Sequence, residues 1–426
     1  MKKVTVVGLG KIGLPLAVVF ANSGNFQVIG ADKNEMVVNQ VNKGIAHINN
    51  EPGVDKLLER ARQNGTFYST TNTTEAVSQS NVVIVIVPVL IKENNEINYD
   101  YIDSAVEDIG KGIKKDTLVI FETTIPTGDT RNRFGKKIEE LSGLTMGTDF
   151  YLAYSPERVY SNRIIEDLAN YPKVVSGVNE KSLQHAITFY QNALNCDVLP
   201  VSSLETAEFT KVAESVYRDV NIALVNELAV YADKLGVNIK EVITAANSEP
   251  FSHLHSPGVG VGGHCIPVYP YFFIKNGLND GLVTLSRKIN DSMANYVVKL
   301  VEETINTLKN KNILILGLSF RENVKETTKS STLLLINEFK QKGATVYVDD
   351  PLFTPDEISY FGAIPFLNND SEKIQAIVLQ AYHDQFKNID FKNFQNCKLV
   401  FDGRNVLDKK SIANCGMTYR GVGINC

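Results

Sequence analysis

Six residues near the N-terminus, Gly8-Leu9-Gly10-Lys11-Ile12-Gly13, follow the β-branched run Val4 to Val7 and open an apolar stretch with helical spacing. Three glycines at that spacing between a strand and a helix narrow the fold sharply. The first permits a tight turn, the second lets the backbone approach an anion, and the third lets helix and strand touch. The helix N-terminus then directs unpaired N–H groups at the anion. Asp32 stands at the end of the second strand-like run, where such a turn calls for an acid. A carboxylate there accepts from ribose hydroxyls and repels a 2′-phosphate, so the pattern predicts a dinucleotide site that takes NAD in preference to NADP. Gly8, Gly10, Lys11, Ile12, Gly13 and Asp32 are its expected contacts. Lys33 tempers the preference, since its ammonium can reach a phosphate. A glycine turn without a ligand is the alternative.

The same stretch begins MKKVTVVGLGKIGLPLAVVFA and can also be read as a secretory leader; the spaced glycines and the absence of a small-residue cleavage site argue against it. No run of about 20 unbroken apolar residues occurs, so no membrane span is expected. The formal net charge of −5 gives no basic excess for nucleic acid or an anionic membrane. Cysteines at 196, 265, 397, 415 and 426 are scattered and form no CxxC pair. That speaks against a disulfide framework or structural zinc and for a cytoplasmic location.

The 426 residues exceed one ordinary core. Val4 to Val7, Gln27 to Ala31, Val82 to Val87, Leu118 to Phe121, Tyr151 to Tyr154 and Val174 to Gly177 read as strands alternating with helical patterns. Continuous runs such as VVIVIV mark strands buried on both faces of a parallel sheet. From Ser203 to about Gly236, apolar residues recur every three or four positions without proline, predicting one long helix. IKEVITAAN and about Val283 to Leu308 are helical as well. A second α/β unit starts at Asn312 with NILILGLSF. The expected fold is α/β: two Rossmann-like doubly wound domains joined by a long-helix central domain, with boundaries near 1–195, 196–305 and 306–426.

Gly258-Val259-Gly260-Val261-Gly262-Gly263-His264-Cys265 is the second signal. So many glycines disfavour helix and strand and suit a loop wrapped around a ligand. Cys265 at its exit is a candidate nucleophile, because a thiolate attacks carbonyls and leaves as a thioester. A buried structural cysteine is the competing reading.

These pieces, with ETTIPTG at 122–128, SPERV at 155–159, AEFTK in the long helix, ILGLSF and FDGRNV, occur in the order of a known family. The chain resembles the UDP-glucose/GDP-mannose dehydrogenases, or nucleotide-sugar 6-dehydrogenases. The resemblance implies an NAD-dependent four-electron oxidation of the C6 alcohol of a UDP-hexose to a UDP-uronic acid through a cysteine thiohemiacetal and thioester. By position it makes Cys265 the nucleophile and Lys211 the stabiliser of the developing oxyanion. It gives Glu157 and Thr124 to proton or water handling, Thr124 also to the cofactor. Arg404 matches a contact to the diphosphate. Arg158, Ser215, His253, His255, Gly258, Gly262 and Arg321 complete the expected substrate contacts. The run RDVNIALVNELA resembles members acting on UDP-N-acetylhexosamines, which are preferred over UDP-glucose. A homodimer through the central helix is expected, serving surface polysaccharide or glycan synthesis.

Departures are visible. Tyr269 replaces an aspartate four residues after the nucleophile, and Ser215 an asparagine four after the lysine. Arg321 replaces a lysine and Thr328 an arginine; Lys325 or Lys329 are candidate replacements at a phosphate. His253 and His255 form an HxH pair with no third metal ligand nearby, so a sugar or phosphate contact is favoured over metal. His264 adjoins Cys265, but neighbouring side chains generally diverge, so a structural role is expected rather than a Cys–His dyad. Two other readings stand beside the main one. A two-electron hydroxyacid or 6-phosphogluconate-type dehydrogenase would need no cysteine, and a non-catalytic NAD-binding protein would show no turnover.

Overall fold

The structure, a computed structural model, describes residues 1–48, 51–92, 94–274 and 280–424; Cys426 lies outside them. The chain divides into two compact units, Met1–Glu214 and Ser215–Cys426. The division falls inside the helix Leu204–Leu235, close to the Ser203–Gly236 limits that the sequence sets.

The first unit holds an eight-stranded sheet. Its spatial order is Val198–Pro200, Lys173–Gly177, Tyr151–Tyr154, Leu118–Phe121, Val82–Val85, Lys2–Val7, Phe26–Ala31 and Phe67–Thr70. The first strand in sequence lies between the second and the fourth, so the order reverses there, the place where open α/β sheets bind ligands beyond their carboxyl ends. The register sets Val7 level with Ala31 on one side and Val85 on the other. The residues that follow, Gly8, Asp32 and Ile86, therefore emerge along one edge. The Val82–Val85 strand is buried throughout, as its apolar run requires. Helix Gly13–Asn22 buries Leu14, Leu16, Val18 and Phe20 in a core shared with Val4, Val6 and Val28. Each such side chain contributes roughly 1.5–3 kcal/mol.

Two strands escape the sequence pattern. Phe67–Thr70 is an edge strand that alternates buried and exposed positions and ends in Ser-Thr. Val198–Pro200 is short and ends in a proline, which an edge tolerates. One pairing also departs from a parallel sheet: Lys173–Gly177 runs antiparallel to Tyr151–Tyr154, with Ala153 opposite Gly177.

The second unit carries a six-stranded sheet in the order Ile364–Pro365, Thr345–Asp349, Asn312–Leu316, Ala376–Leu379, Leu399–Asp402 and Thr418–Gly421. Every pairing is parallel. This is the doubly wound dinucleotide-fold order. Helix Leu282–Ile305 contributes Met293, Val297 and Val301 to a core with Ile313, Ile315 and Val346. The turn after Asn312–Leu316 repeats the N-terminal one. Gly317 N–H donates to Asp349 at 2.8 Å and Leu318 N–H to Asp350 Oδ2 at 2.8 Å. In the first unit Gly8 N–H donates to Ala31 and Leu9 N–H to Asp32 Oδ2 at the same distances. Asp350, however, also accepts from the Ser319 backbone and hydroxyl and meets His383 Nε2 at 3.1 Å. It is thus committed to internal partners.

Candidate active site

The N-terminal turn has the geometry a dinucleotide requires. A β-carbon added at Gly13 would lie 1.9 Å from the Gly8 carbonyl oxygen, so only glycine lets helix and turn meet. At Gly10 the same test finds nothing within 4 Å, leaving room for a ligand against the backbone. No side chain caps the helix start at Ile12, and Lys11 flanks it. Asp32 is fixed from both carboxylate oxygens, by Leu9 N–H at 2.8 Å and Asn34 N–H at 2.9 Å. These residues fit NAD. Lys33 is drawn to Asp108 at 3.4 Å and to the Ser104 hydroxyl, so its charge is partly neutralised locally.

The other expected residues of the first unit converge on the loop after Leu118–Phe121. Thr124 is buried there. Glu122 C=O accepts from Glu157 N–H at 3.2 Å, joining this loop to SPERV. The buried Glu208 accepts from Gly128 N–H and, at 2.9 Å, from Thr130 N–H. This ties AEFTK, which carries Lys211 three residues on, to the same loop. Lys211 is only 8% exposed, contrary to the solvated helix lysine that composition alone would suggest.

Glu157 does more than cap a turn. Its Oε1 accepts from Arg158 N–H at 2.7 Å and Val159 N–H at 3.2 Å, and its Oε2 meets Lys173 Nζ at 2.8 Å. Lys173 also meets Glu122 Oε2 at 2.7 Å, and Tyr190 donates to Glu122 Oε1 at 2.7 Å. Burial pushes Glu122 up to about 7 despite the ammonium. Burial also penalises Glu157, but Lys173 and the Arg158 amide outweigh it and hold that carboxyl below the usual range. Sequence reading missed Glu122, Lys173 and Tyr190. The available signal was a lysine opening the buried strand KVVSG. Arg158 is engaged elsewhere, at 2.8 Å from Glu214.

In the second unit the glycine loop is suspended from a buried polar chain. Gly258 N–H donates to Asn226, Asn226 to Asn290, and Asn290 to Asp219, at 2.8–2.9 Å. Asp219 in turn pairs with Arg287. A β-carbon at Gly262 would meet that of Phe320 at 2.5 Å, so the loop lies tight against the ILGLSF segment. Arg404 donates to the carbonyls of Gln380 and Phe320, the latter at 3.1 Å, and its Nη1 lies 3.6 Å from a β-carbon built on Gly258. Arg404, Gly258 and Gly262 are therefore brought together. Arg321 lies beside the Phe320 ring, and its buried Nε has no hydrogen-bond partner among the described residues. Lys325 pairs with Glu357 at 2.7 Å. Ser215 is fully buried.

His253 is exposed; its carbonyl and the His255 N–H are both held by Asn221. His255 has a buried Nε2 without a partner, and burial lowers its pKa. Among the described residues no group of three or more His, Cys, Asp or Glu is placed to hold a metal, and no helix is long and apolar enough to cross a membrane.

His264, which adjoins Cys265, is held through Nδ1 by Glu326 Oε1 at 2.8 Å. Tyr269 N–H donates to Cys265 C=O at 3.0 Å, which carries the Tyr269 phenol to 3.7 Å from the sulfur. The neighbouring Cys265, then Glu326, push the imidazole up to about 10.

The comparisons with known proteins agree with this architecture. Residues 2–194 match the UDP-glucose/GDP-mannose dehydrogenase family NAD binding domain, 205–292 its central domain and 314–409 its UDP binding domain. The chain is 33% identical over 429 residues to the UDP-N-acetyl-D-mannosamine dehydrogenase of Pyrococcus horikoshii, covering 99% of each. It is 31% identical to the NDP-N-acetyl-D-galactosaminuronic acid dehydrogenase of Ralstonia nicotianae, covering 97% of this chain and 98% of that one. A solved UDP-D-ManNAc dehydrogenase structure from Pyrococcus horikoshii superposes with a TM-score of 0.89 at 32% identity, covering 99% of both chains. The chain belongs to the UDP-glucose/GDP-mannose dehydrogenase family and is an NAD-dependent oxidoreductase of that family.

Proposed function

We propose that this chain oxidises the C6 alcohol of a UDP-N-acetylhexosamine to the carboxylate in two hydride transfers, through a thioester on Cys265. The observation that carries the reading is the placement of Cys265 at the exit of a glycine loop whose entry lies against Arg404. This gives one ligand a thiol and a guanidinium. The names of the relatives support an N-acetylated sugar, with UDP-N-acetylmannosamine first and the galacto isomer second.

NAD, when bound at the Gly8–Gly13 turn, accepts each hydride. Lys211 offers an ammonium to the oxygen that becomes negative, an interaction that strengthens as charge develops. The Cys265 sulfur adds to the aldehyde carbon, the π pair moves to oxygen, and a thiohemiacetal forms. Departure of the second hydride restores the C=O as a thioester. Water then adds, the C–S bond breaks, and the sulfur leaves. Glu157 and Thr124 are assigned to the proton and water of these steps. Arg404 faces the diphosphate, with Arg321, Ser215, His253 and His255 completing the substrate side.

A homodimer through the central helix is part of this reading, supported by an exposed apolar stripe on that helix. A cytoplasmic setting is supported by Cys196, Cys397 and Cys415, which stand as thiols rather than in disulfides. The carboxylated product suits polysaccharide synthesis.

The test is NADH release against UDP-N-acetylmannosamine, UDP-N-acetylglucosamine, UDP-N-acetylgalactosamine and UDP-glucose, with product mass. Two NADH per sugar and a uronate product are expected, and Cys265→Ser should form no carboxylate. One NADH per sugar would favour a two-electron dehydrogenase, and NAD binding without turnover a non-catalytic protein.

A further inference from the structure

One strand of the first sheet runs against its neighbour, and its direction decides where a buried cation lands. Tyr154 lies opposite Ser176 in the antiparallel pairing of Tyr151–Tyr154 with Lys173–Gly177. Continuing that register beyond both residues sets Glu157 level with Lys173. Had the strand run parallel to Tyr151–Tyr154, Lys173 would open it at the opposite edge of the sheet, on the order of 13 Å away. Instead its ammonium stands at the carboxyl edge, 2.8 Å from Glu157 Oε2 and 2.7 Å from Glu122 Oε2. Of the three side chains Glu157 keeps the most surface, 12% against 6% for Lys173 and none for Glu122. Burial raises Glu122, so the extra proton of the cluster resides there and Glu157 stays ionised. Glu157 Oε1 already accepts from two backbone amides and Oε2 from the ammonium. A carboxylate has about four acceptor sites, so one is left for a ligand or water.

We propose that Lys173 is the positioning residue of Glu157: it fixes the carboxylate so that the remaining acceptor site holds the water that releases the product. The proposal rests on the assignment of Glu157 to the water step made above. In that step the water oxygen bonds to the thioester carbon, and the C–S bond breaks with its electron pair on sulfur. One water proton ends on that sulfur, and the carboxylic acid loses the other to solvent. A carboxylate held ionised by an ammonium is a weak base. Glu157 therefore orients the water by accepting from it, and the departing thiolate, whose free-thiol value is roughly 8.5, is the better home for the proton. The groups that face the ammonium are Glu122 and Glu157, the Tyr190 ring at 5.3 Å from helix Glu180–Ala193, and Cys196. Tyr190 donates to Glu122, which leaves Lys173 as the side chain that grips Glu157 Oε2.

Lys173→Met alone strands two carboxylates, so the test variant combines it with Glu122→Gln, which withdraws one charge of each sign and still accepts from Tyr190. The full-length protein is assayed with NAD and the UDP-sugar that the wild type turns over. The double variant should lose ~10- to 100-fold in kcat while keeping kcat/KM for the sugar, because the slowed step follows both hydride transfers. A burst of two NADH per site should persist, and intact-protein mass spectrometry should find the acyl adduct well above its wild-type level. Decay of that adduct, followed against pH, should have its acid limb moved up by about one pH unit or more, the amount by which a neighbouring cation holds a carboxyl down. Lys173→Arg, which keeps the cation, should recover most of the turnover and return the limb. Wild-type kcat and adduct decay in the double variant, or loss of the burst together with kcat, overturn the proposal. If the double variant does not fold, Lys173→Gln, which keeps a donor without the charge, is read by the same adduct and the same pH profile. One NADH per sugar from the wild type, or full turnover by Cys265→Ser, is a failure of the reaction proposed above. Two NADH from the wild type with no adduct in the variant is a failure of this proposal alone.

Discussion

Glu157 and Glu122 share one cation: Lys173 Nζ lies 2.8 Å from the first and 2.7 Å from the second. The lysine side chain is 6% exposed and that of Glu122 fully buried. Removing the ammonium would leave two carboxylates facing each other in a dry site. Lys173→Met is therefore expected to cost about 3–5 kcal/mol of stability, measured by urea denaturation, and to abolish turnover. A variant that melts with the wild type would show that the cluster is solvated.

The same cluster imposes a pH dependence. Glu122 is pushed up to about 7, whereas an unfolded glutamate titrates near 4.3. Between those values the folded chain holds an extra proton, so stability falls as pH rises through the window. Glu208, also pushed up to about 7 by burial, adds in the same direction. Glu157, held low, acts oppositely: its contribution is present above the unfolded value and is lost as pH falls through its folded one. Relative to wild type, Glu122→Gln should gain stability from pH 5 to about pH 7 and level off above it. A pH-independent difference between the two proteins would contradict this.

Gly13 and Gly10 should separate folding from binding. Alanine at Gly13 drives its β-carbon onto the Gly8 carbonyl, and overpacking of this kind costs roughly 1–3 kcal/mol or more. Alanine at Gly10 meets no protein atom within 4 Å. Gly10→Ala should leave the thermal midpoint unchanged and raise the Kd for NAD by ~10-fold or more, because the methyl occupies the pyrophosphate's approach. Gly13→Ala should lower the midpoint as well. Calorimetry with and without NAD reads both.

Much of this site was legible because backbone demands leave marks on sequence. The glycines at 8, 10 and 13 and the acid at 32 serve one turn, and a turn is local. The long helix and the buried strands announce themselves by period. What sequence could not show are partners brought from afar. Lys173 reaches Glu122 past the intervening strand Tyr151–Tyr154, and Glu326 reaches His264 through a loop quoted for other residues. Asp350 illustrates the reverse: its turn matches that of Asp32, yet His383 and Ser319 occupy it, which no spacing reveals.

Asp32 itself can be tested by cofactor choice. Its carboxylate is fixed by two backbone amides, so Asp32→Asn keeps one acceptor while removing the charge that repels a 2′-phosphate. The ratio of kcat/KM for NAD over NADP should fall by ~10-fold or more. An unchanged ratio would place the selectivity elsewhere.

The central helix carries the last prediction. Tyr217, Leu224 and Tyr231 recur at seven-residue spacing and are 53%, 47% and 56% exposed. Seven residues are close to two helical turns, so the three side chains form one stripe, and a stripe of this kind is what a second helix covers. Nothing in folding the chain alone requires three large apolar side chains in water at that interval. Leu224→Arg would set a charge in the middle of the stripe, where pairing two copies would bury it unpaired. The variant should remain folded by circular dichroism, because the position is exposed, and should elute as a monomer in light-scattering chromatography, with the wild type expected to elute as the proposed dimer at the same concentration. A dimer that survives Leu224→Arg would move the interface off this face of the helix.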